Sequence, residues 1–170
     1  MDLPCRMANI HGALAALLGE LLEGPDPHAA FMLNSGDRGL LGSLERLSAA
    51  DASATPIAGN ASIAAHVDHL RYGFELMNRW AGGERNPWAT ADWTASWRRA
   101  TVDEAAWRDL REHLASEARR WKDALPQVGE VSDLELKGMI GSVGHLSYHL
   151  GAIRQIAPSL RGPKAEEARG

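Results

Sequence analysis

His145 and His149 stand four residues apart in the segment GHLSYHLGAIRQI. On a helix that spacing leaves their side chains about 40° apart around the axis, so both rings share one face and can converge on one cation. A second pair, His66 and His69, lies three residues apart in SIAAHVDHLRYGFELMNRWA. One imidazole from this segment, added to the H-x-x-x-H pair, makes a three-histidine set with coordination positions left for water or substrate, as in catalytic zinc sites. The competing reading is a group of hydrogen-bonded core histidines, since H-x-x-x-H on a helix is frequent by chance and buried imidazoles need only polar partners. Cys5 is the single cysteine, so neither an internal disulfide nor a cysteine cluster for metal can form.

The elements that must carry these residues are helical, because apolar residues recur at helical spacing and the alternation that marks strands is missing. A first helix is predicted over 7–22, with Met7, Ile10, Leu14, Leu17, Leu18 and Leu21 on one stripe and Gly24-Pro25 as its stop. Between 27 and 59 only Leu40, Leu41, Leu44 and Leu47 suggest a short helix. The second long helix opens at Ser62, a good N-cap, and ends at Gly82-Gly83. Both of its histidines fall in an apolar arc with Ile63, Leu70, Gly73, Met77 and Trp80, and the wheel favours His66, which lies nearer the centre. Thr101 with Glu104 reads as a capping box for a third helix, whose stripe is Trp107, Leu110, Leu114, Trp121 and Leu125 before Pro126. Ser132 with Glu135 repeats the box for a fourth helix that runs to Pro158.

On that fourth helix the two histidines share a face with Leu134, Gly138, Gly141, Ser142, Ala152 and Ile156, which is expected to point inward. The helix also carries Gly138, Gly141, Gly144 and Gly151, each costing about 0.8–1 kcal/mol against alanine. Close helix approach or room for a ligand should offset that cost. About seven residues join the third and fourth helices, which makes them antiparallel neighbours. Residues 82–100, rich in turn formers and carrying Trp88, Trp93 and Trp97, read as an ordered connection that can reach about 60 Å, enough to cross a bundle. The tryptophans either pin this connection to the core, their commoner role, or cap a substrate cavity. The expected architecture is all-α, a four-helix bundle over 1–158 followed by a loose tail, 159–170.

Composition narrows the partners. Eighteen Lys and Arg against 22 Asp and Glu leave a net charge of −4, which argues against a dedicated nucleic-acid binder. No apolar run approaches the roughly 18 residues of a membrane span. The N-terminal segment has no basic region before a clean apolar block with a cleavage site, so a cytoplasmic location is expected.

GHLSYHLGAIRQI resembles the closing helix of the DinB-like (YfiT-like) family, in which H-x-x-x-H is followed by a small residue and often Gln. SIAAHVDHL resembles the family's second-helix motif, where Ser or Thr opens the helix and a metal-binding His follows seven residues later. The likeness extends over roughly 6–157 in helix order and spacing, and it is specific in those two segments. Ala152 departs from it, standing where many relatives have Gln after Gly151. The resemblance implies His69, His145 and His149 as the metal ligands, with His66 as the alternate ligand or a supporting partner. It also implies an up-down-down-up bundle with its long connection between helices 2 and 3, a divalent ion, usually nickel or zinc, and a homodimer. Lengths agree with that topology: His69 lies about 10 Å into its helix and His149 about 12 Å from the end of its own, so the depths match if these helices are antiparallel.

Several relatives are thiol-dependent S-transferases or isomerases acting with low-molecular-weight thiols such as bacillithiol or mycothiol. The expected function is therefore a metal-dependent enzyme of that type acting on a small-molecule substrate. The alternatives are a non-catalytic dimeric binding or scaffold protein, with a structural metal or none, and a metal-dependent hydrolase. No catalytic residue is assigned. His66, Tyr72 and Tyr148 are candidate bases by nearness alone, His11 reads as a packed or half-exposed histidine, and His28 and His113 have no partner in view.

Overall fold

The structure, a computed structural model, describes residues 9–55 and 61–164. Cys5 and Met7 lie outside the described residues, as do positions 165–170 of the expected tail. Helix α1 spans Ile10–Glu23, opened by Asn9, whose side chain accepts from Gly12 N, and closed at Gly24. Gly24 has φ of 98°, a left-handed conformation suited to glycine, and a Cβ there would collide with the Asp37 carbonyl. Its stripe buries Leu14, Leu18, Leu21 and Leu22.

Glu20, on the same helix, is also buried, and its carboxylate accepts from the backbone N of Phe31, Met32 and Leu33 at 3.0, 2.7 and 2.7 Å. A charge-assisted bond to three amides meets the requirement that a buried carboxylate be paired. It also ties down the loop after α1, for which the sequence offered no packing.

That stretch holds two short helices where one was expected: α2 (Gly39–Leu44) and α3 (Ala49–Ser53). Ser48 interrupts the leucine run and starts the second with a capping box to Asp51. Helix α4 (Ile63–Ala81) begins at Ser62, whose hydroxyl accepts from Ala65 N, and ends at Gly82. Helix α5 (Glu104–Ala124) departs from the expected Thr101–Glu104 box, because Asp103 is the N-cap, accepting from Ala106 N at 2.8 Å. Glu104 instead accepts from Ala49 N at 2.9 Å and so satisfies the first free amide of α3. Helix α6 (Asp133–Ile156) has the Ser132–Glu135 box as read. The chain continues into a turn, Pro158–Leu160, whose Leu160 is buried, and Asn34 Nδ2 donates to the Pro163 carbonyl, so the packed body reaches into 159–164.

The described chain is all-helical, with no strand among the described residues and one isolated bridge, Asp26 to Ala29. Four long helices, α1, α4, α5 and α6, surround a core that includes Trp107, Leu114, Ala118 and Trp121 from α5. Contacts between α4 and α6 run in opposite numerical order, His66 with His149 and His69 with His145. Those between α4 and α5 run in the same order, Asn78 with Glu117 and Trp80 with Trp121. No described helix is long and apolar enough to cross a membrane.

The inward face expected for α6 is found only in part. His149 is buried and Ile156 packs against the core, but the main buried stripe is Met139, Val143, Leu146, Leu150 and Ile153, while Leu134 is 79% exposed and Gly138 and Gly141 face open space. A helical wheel scores a small residue as inward whether it meets a neighbour or borders a gap.

Candidate metal centre

Helix α4 supplies His69 and helix α6 supplies His145 and His149, and one ring nitrogen from each lies within 4.8 Å of the others. His145 Nε2 is 3.1 Å from His69 Nε2 and 2.9 Å from His149 Nε2. A neutral imidazole nitrogen carries either one N–H or one lone pair, so His145 Nε2 cannot make a proper hydrogen bond to both neighbours at once. A shared cation resolves that conflict. Two nitrogens bound to a tetrahedral ion at 2.0–2.1 Å lie roughly 3.3 Å apart, close to the spacings found, so the donor set fits such an ion.

The histidine that the wheel preferred, His66, lies outside this trio and is half-buried. Its Nδ1 sits 2.8 Å from His149 Nδ1. If His149 presents a lone pair at Nε2, its Nδ1 holds the proton and donates it to His66 Nδ1, which fixes the ring's tautomer and tilt. His69 lacks that support, since its Nδ1 is buried without a hydrogen-bond partner. Trp97 stacks on the His69 ring at 4.5 Å between centroids, and Trp93 lies 5.7 Å from it.

Burial holds all four imidazoles below their ordinary pKa. Desolvation lowers His66 and His145, and the neighbouring imidazoles add to it in His69, pushed down to about 4, and in His149, pushed down to about 3. Neutral rings near pH 7 keep lone pairs available to a metal. Asp68, which the wheel put in the polar sector, is buried beneath Arg71 and Arg99, with contacts of 3.0 and 3.3 Å. Its carboxylate is already engaged there.

Beside the trio lies a cavity of about 440 Å³, walled by His69, His145, Phe74, Met77, Trp88 and Trp93 and floored by Gly138 and Gly141. The tryptophans therefore do both jobs weighed for them: Trp88 and Trp93 border the cavity, and Trp88 also packs against the core. A second cavity of about 620 Å³ shares Met77, Trp88 and Gly138 with the first and adds Arg85 and Lys137. Sequence reasoning missed Phe74, Arg85 and Lys137, because nothing in their local pattern separates a cavity wall from core or surface. His11 is set apart from the site, bonded through Nδ1 to the Val128 carbonyl at 3.0 Å. Tyr148 is 69% exposed, though its ring lies 5.0 Å from that of His149. Tyr72 contacts Trp93.

An all-helical protein with three histidines able to hold one metal ion beside an apolar cavity is the class that fold and site define. A profile of the DinB superfamily matches residues 33–140, more than half of the chain, which therefore belongs to that superfamily. The matched span contains His69 and stops short of His145 and His149. No curated protein and no solved structure matches the chain.

Proposed function

We propose that the chain is a metal-dependent enzyme with His69, His145 and His149 as ligands, acting as a thiol S-transferase or isomerase on a small molecule. The observation that carries this reading is the meeting of three imidazole nitrogens beside an apolar cavity that two of the three rings line. Three neutral imidazoles suit a borderline ion, so nickel or zinc is the proposed metal. When bound, such an ion supplies Lewis-acid chemistry, lowering the pKa of a thiol or polarising an electrophile. In an S-transfer the sulfur forms a bond to carbon, the leaving group departs with its bonding pair, and the thiol proton passes to solvent.

The chain's own residues do the rest. His66 orients His149, Trp97 packs against the His69 ring, and the apolar walls hold the carbon skeleton away from water. The apolar lining suits the carbon skeleton of a thiol or of its electrophile. An up-down-down-up order belongs to the same proposal, supported by the opposite order of α4–α6 contacts and the same order of α4–α5 contacts.

Metal analysis of the purified protein tests the reading. About one equivalent of nickel or zinc is expected, lost in His69→Ala, His145→Ala and His149→Ala; unchanged metal content in all three would refute it. A second reading, a homodimer with a binding or scaffold role, draws on Leu134, Ile140 and Tyr148, which are 79%, 48% and 69% exposed on α6. Sedimentation of wild type against Ile140→Glu checks that surface.

A further inference from the structure

Helices α4 and α6 do not close on one another beyond the histidines. Going back along α6 from His145, Gly141 and Gly138 follow, and a Cβ added at either would meet nothing within 4 Å. The gap extends to Lys137, eight residues or about 12 Å along the helix from His145. It passes through both cavities, whose shared border is Met77, Trp88 and Gly138.

The two lobes differ in chemistry. In the lobe beside the histidines the polar groups are the imidazoles, the indole N–H groups of Trp88 and Trp93, and Ser142, which is already engaged, its hydroxyl donating to the Met139 carbonyl and accepting from Trp121 Nε1. Apart from an ion held by the histidines, that lobe presents no charged side chain. The other lobe holds Arg85 and Lys137, both exposed and neither with an ion-pair partner among the described residues. Glu135, beside them, already accepts from the Ser132 backbone N and hydroxyl at 2.7 and 2.8 Å. Two cations and one carboxylate leave a single positive charge, which matches a monoanion.

We infer that the cleft is built for an apolar-chained thiol bearing a terminal carboxylate, with the sulfur at the histidine end, the chain over Gly141 and Gly138, and the carboxylate at Arg85 and Lys137. The sulfur end rests on the function proposed above; the carboxylate end does not. Gly138 is then a specificity-determining position, since a side chain there separates the two lobes.

Calorimetric titration of the metal-loaded protein with ω-mercapto-octanoate and its neutral partner ω-mercapto-octanol tests the assignment, with thiol-free octanoate titrated into the metal-free protein. The acid is expected to bind about tenfold tighter than the alcohol, and Arg85→Glu with Lys137→Glu should erase that preference while leaving the alcohol's affinity unchanged. Equal binding of acid and alcohol, unaltered by charge reversal, would overturn the carboxylate site and leave the thiol function standing. If neither thiol binds but octanoate does, in a manner lost on charge reversal, the anion site stands and the thiol function falls. Gly138→Leu guards against a folding artefact: its melting temperature should equal or exceed that of wild type while affinity for the acid drops at least about tenfold. A folded Gly138→Leu that binds like wild type would refute the continuous cleft.

Discussion

The two sides of α4 are built differently. Toward α5 the helix is packed along its length, with Trp107, Leu114, Ala118 and Trp121 filling the core and Asn78 bonded to Glu117 at 2.6 Å. Toward α6 the contact is sparser: the histidines touch at one end, and glycine-lined space takes over beyond them. Cohesion is concentrated on one side of the helix, and the other is left free to hold a ligand. Substitutions on the two sides should therefore change different observables.

The largest separation is expected at His145, whose Nε2 contacts both other members of the trio. His145→Ala should abolish stoichiometric metal uptake while the metal-free protein melts at the same temperature or higher, because a desolvated imidazole has been removed; a large loss of metal-free stability would show that the open side also carries the fold. On the packed side, Trp121→Ala removes a fully buried side chain and should cost about 3–5 kcal/mol in chemical denaturation, with metal stoichiometry retained in the folded fraction.

His66→Ala should weaken metal binding by about 10–100-fold in a chelator competition, with partial recovery in His66→Gln, whose side-chain oxygen can still accept from His149 Nδ1. Equal affinities in wild type and His66→Ala would leave His66 as packing alone.

Acid should act on the histidine side as well. His69 and His149 are held down to about 4 and about 3, whereas the unfolded chain takes up these protons near its ordinary value of 6.5. Folded pKa values below unfolded ones mean that the unfolded state binds more protons in this window. Stability of the metal-free protein is therefore full above about pH 6.5 and falls as pH drops toward 4. Denaturation curves across that window should show a shallower fall in a His69→Ala, His149→Ala double variant. The smallest effect belongs to Gly144→Ala on the exposed part of α6, a gain of about 0.8–1 kcal/mol with metal affinity unchanged.

How far the sequence carried depended on whether a signal was local. Ser62, the Ser132–Glu135 box and Gly82 mark helix ends through bonds within a few residues, and each stands where the pattern put it. Asp103 displaced Thr101 because Glu104 is drawn to Ala49, a partner 55 residues away. The same limit governs the histidines. Periodicity ranked His66 above His69, and the offset between α4 and α6 reverses the order, setting His69 against His145 and His66 against His149. The glycines of α6 announced an exception to helix propensity without saying which kind, and only the placement of α4 shows it to be space. Glu20 read as an interruption of an apolar run, since the amides that bury it come from beyond the end of the helix.

The indole of Trp97 lies flat against one imidazole of the trio, 29° from parallel, with Trp93 close by. This places a native optical reporter beside the trio. A paramagnetic ion such as nickel arriving among the histidines would quench emission from these two indoles more than from Trp107 or Trp121 in the interior, so loading can be followed by fluorescence with no added label.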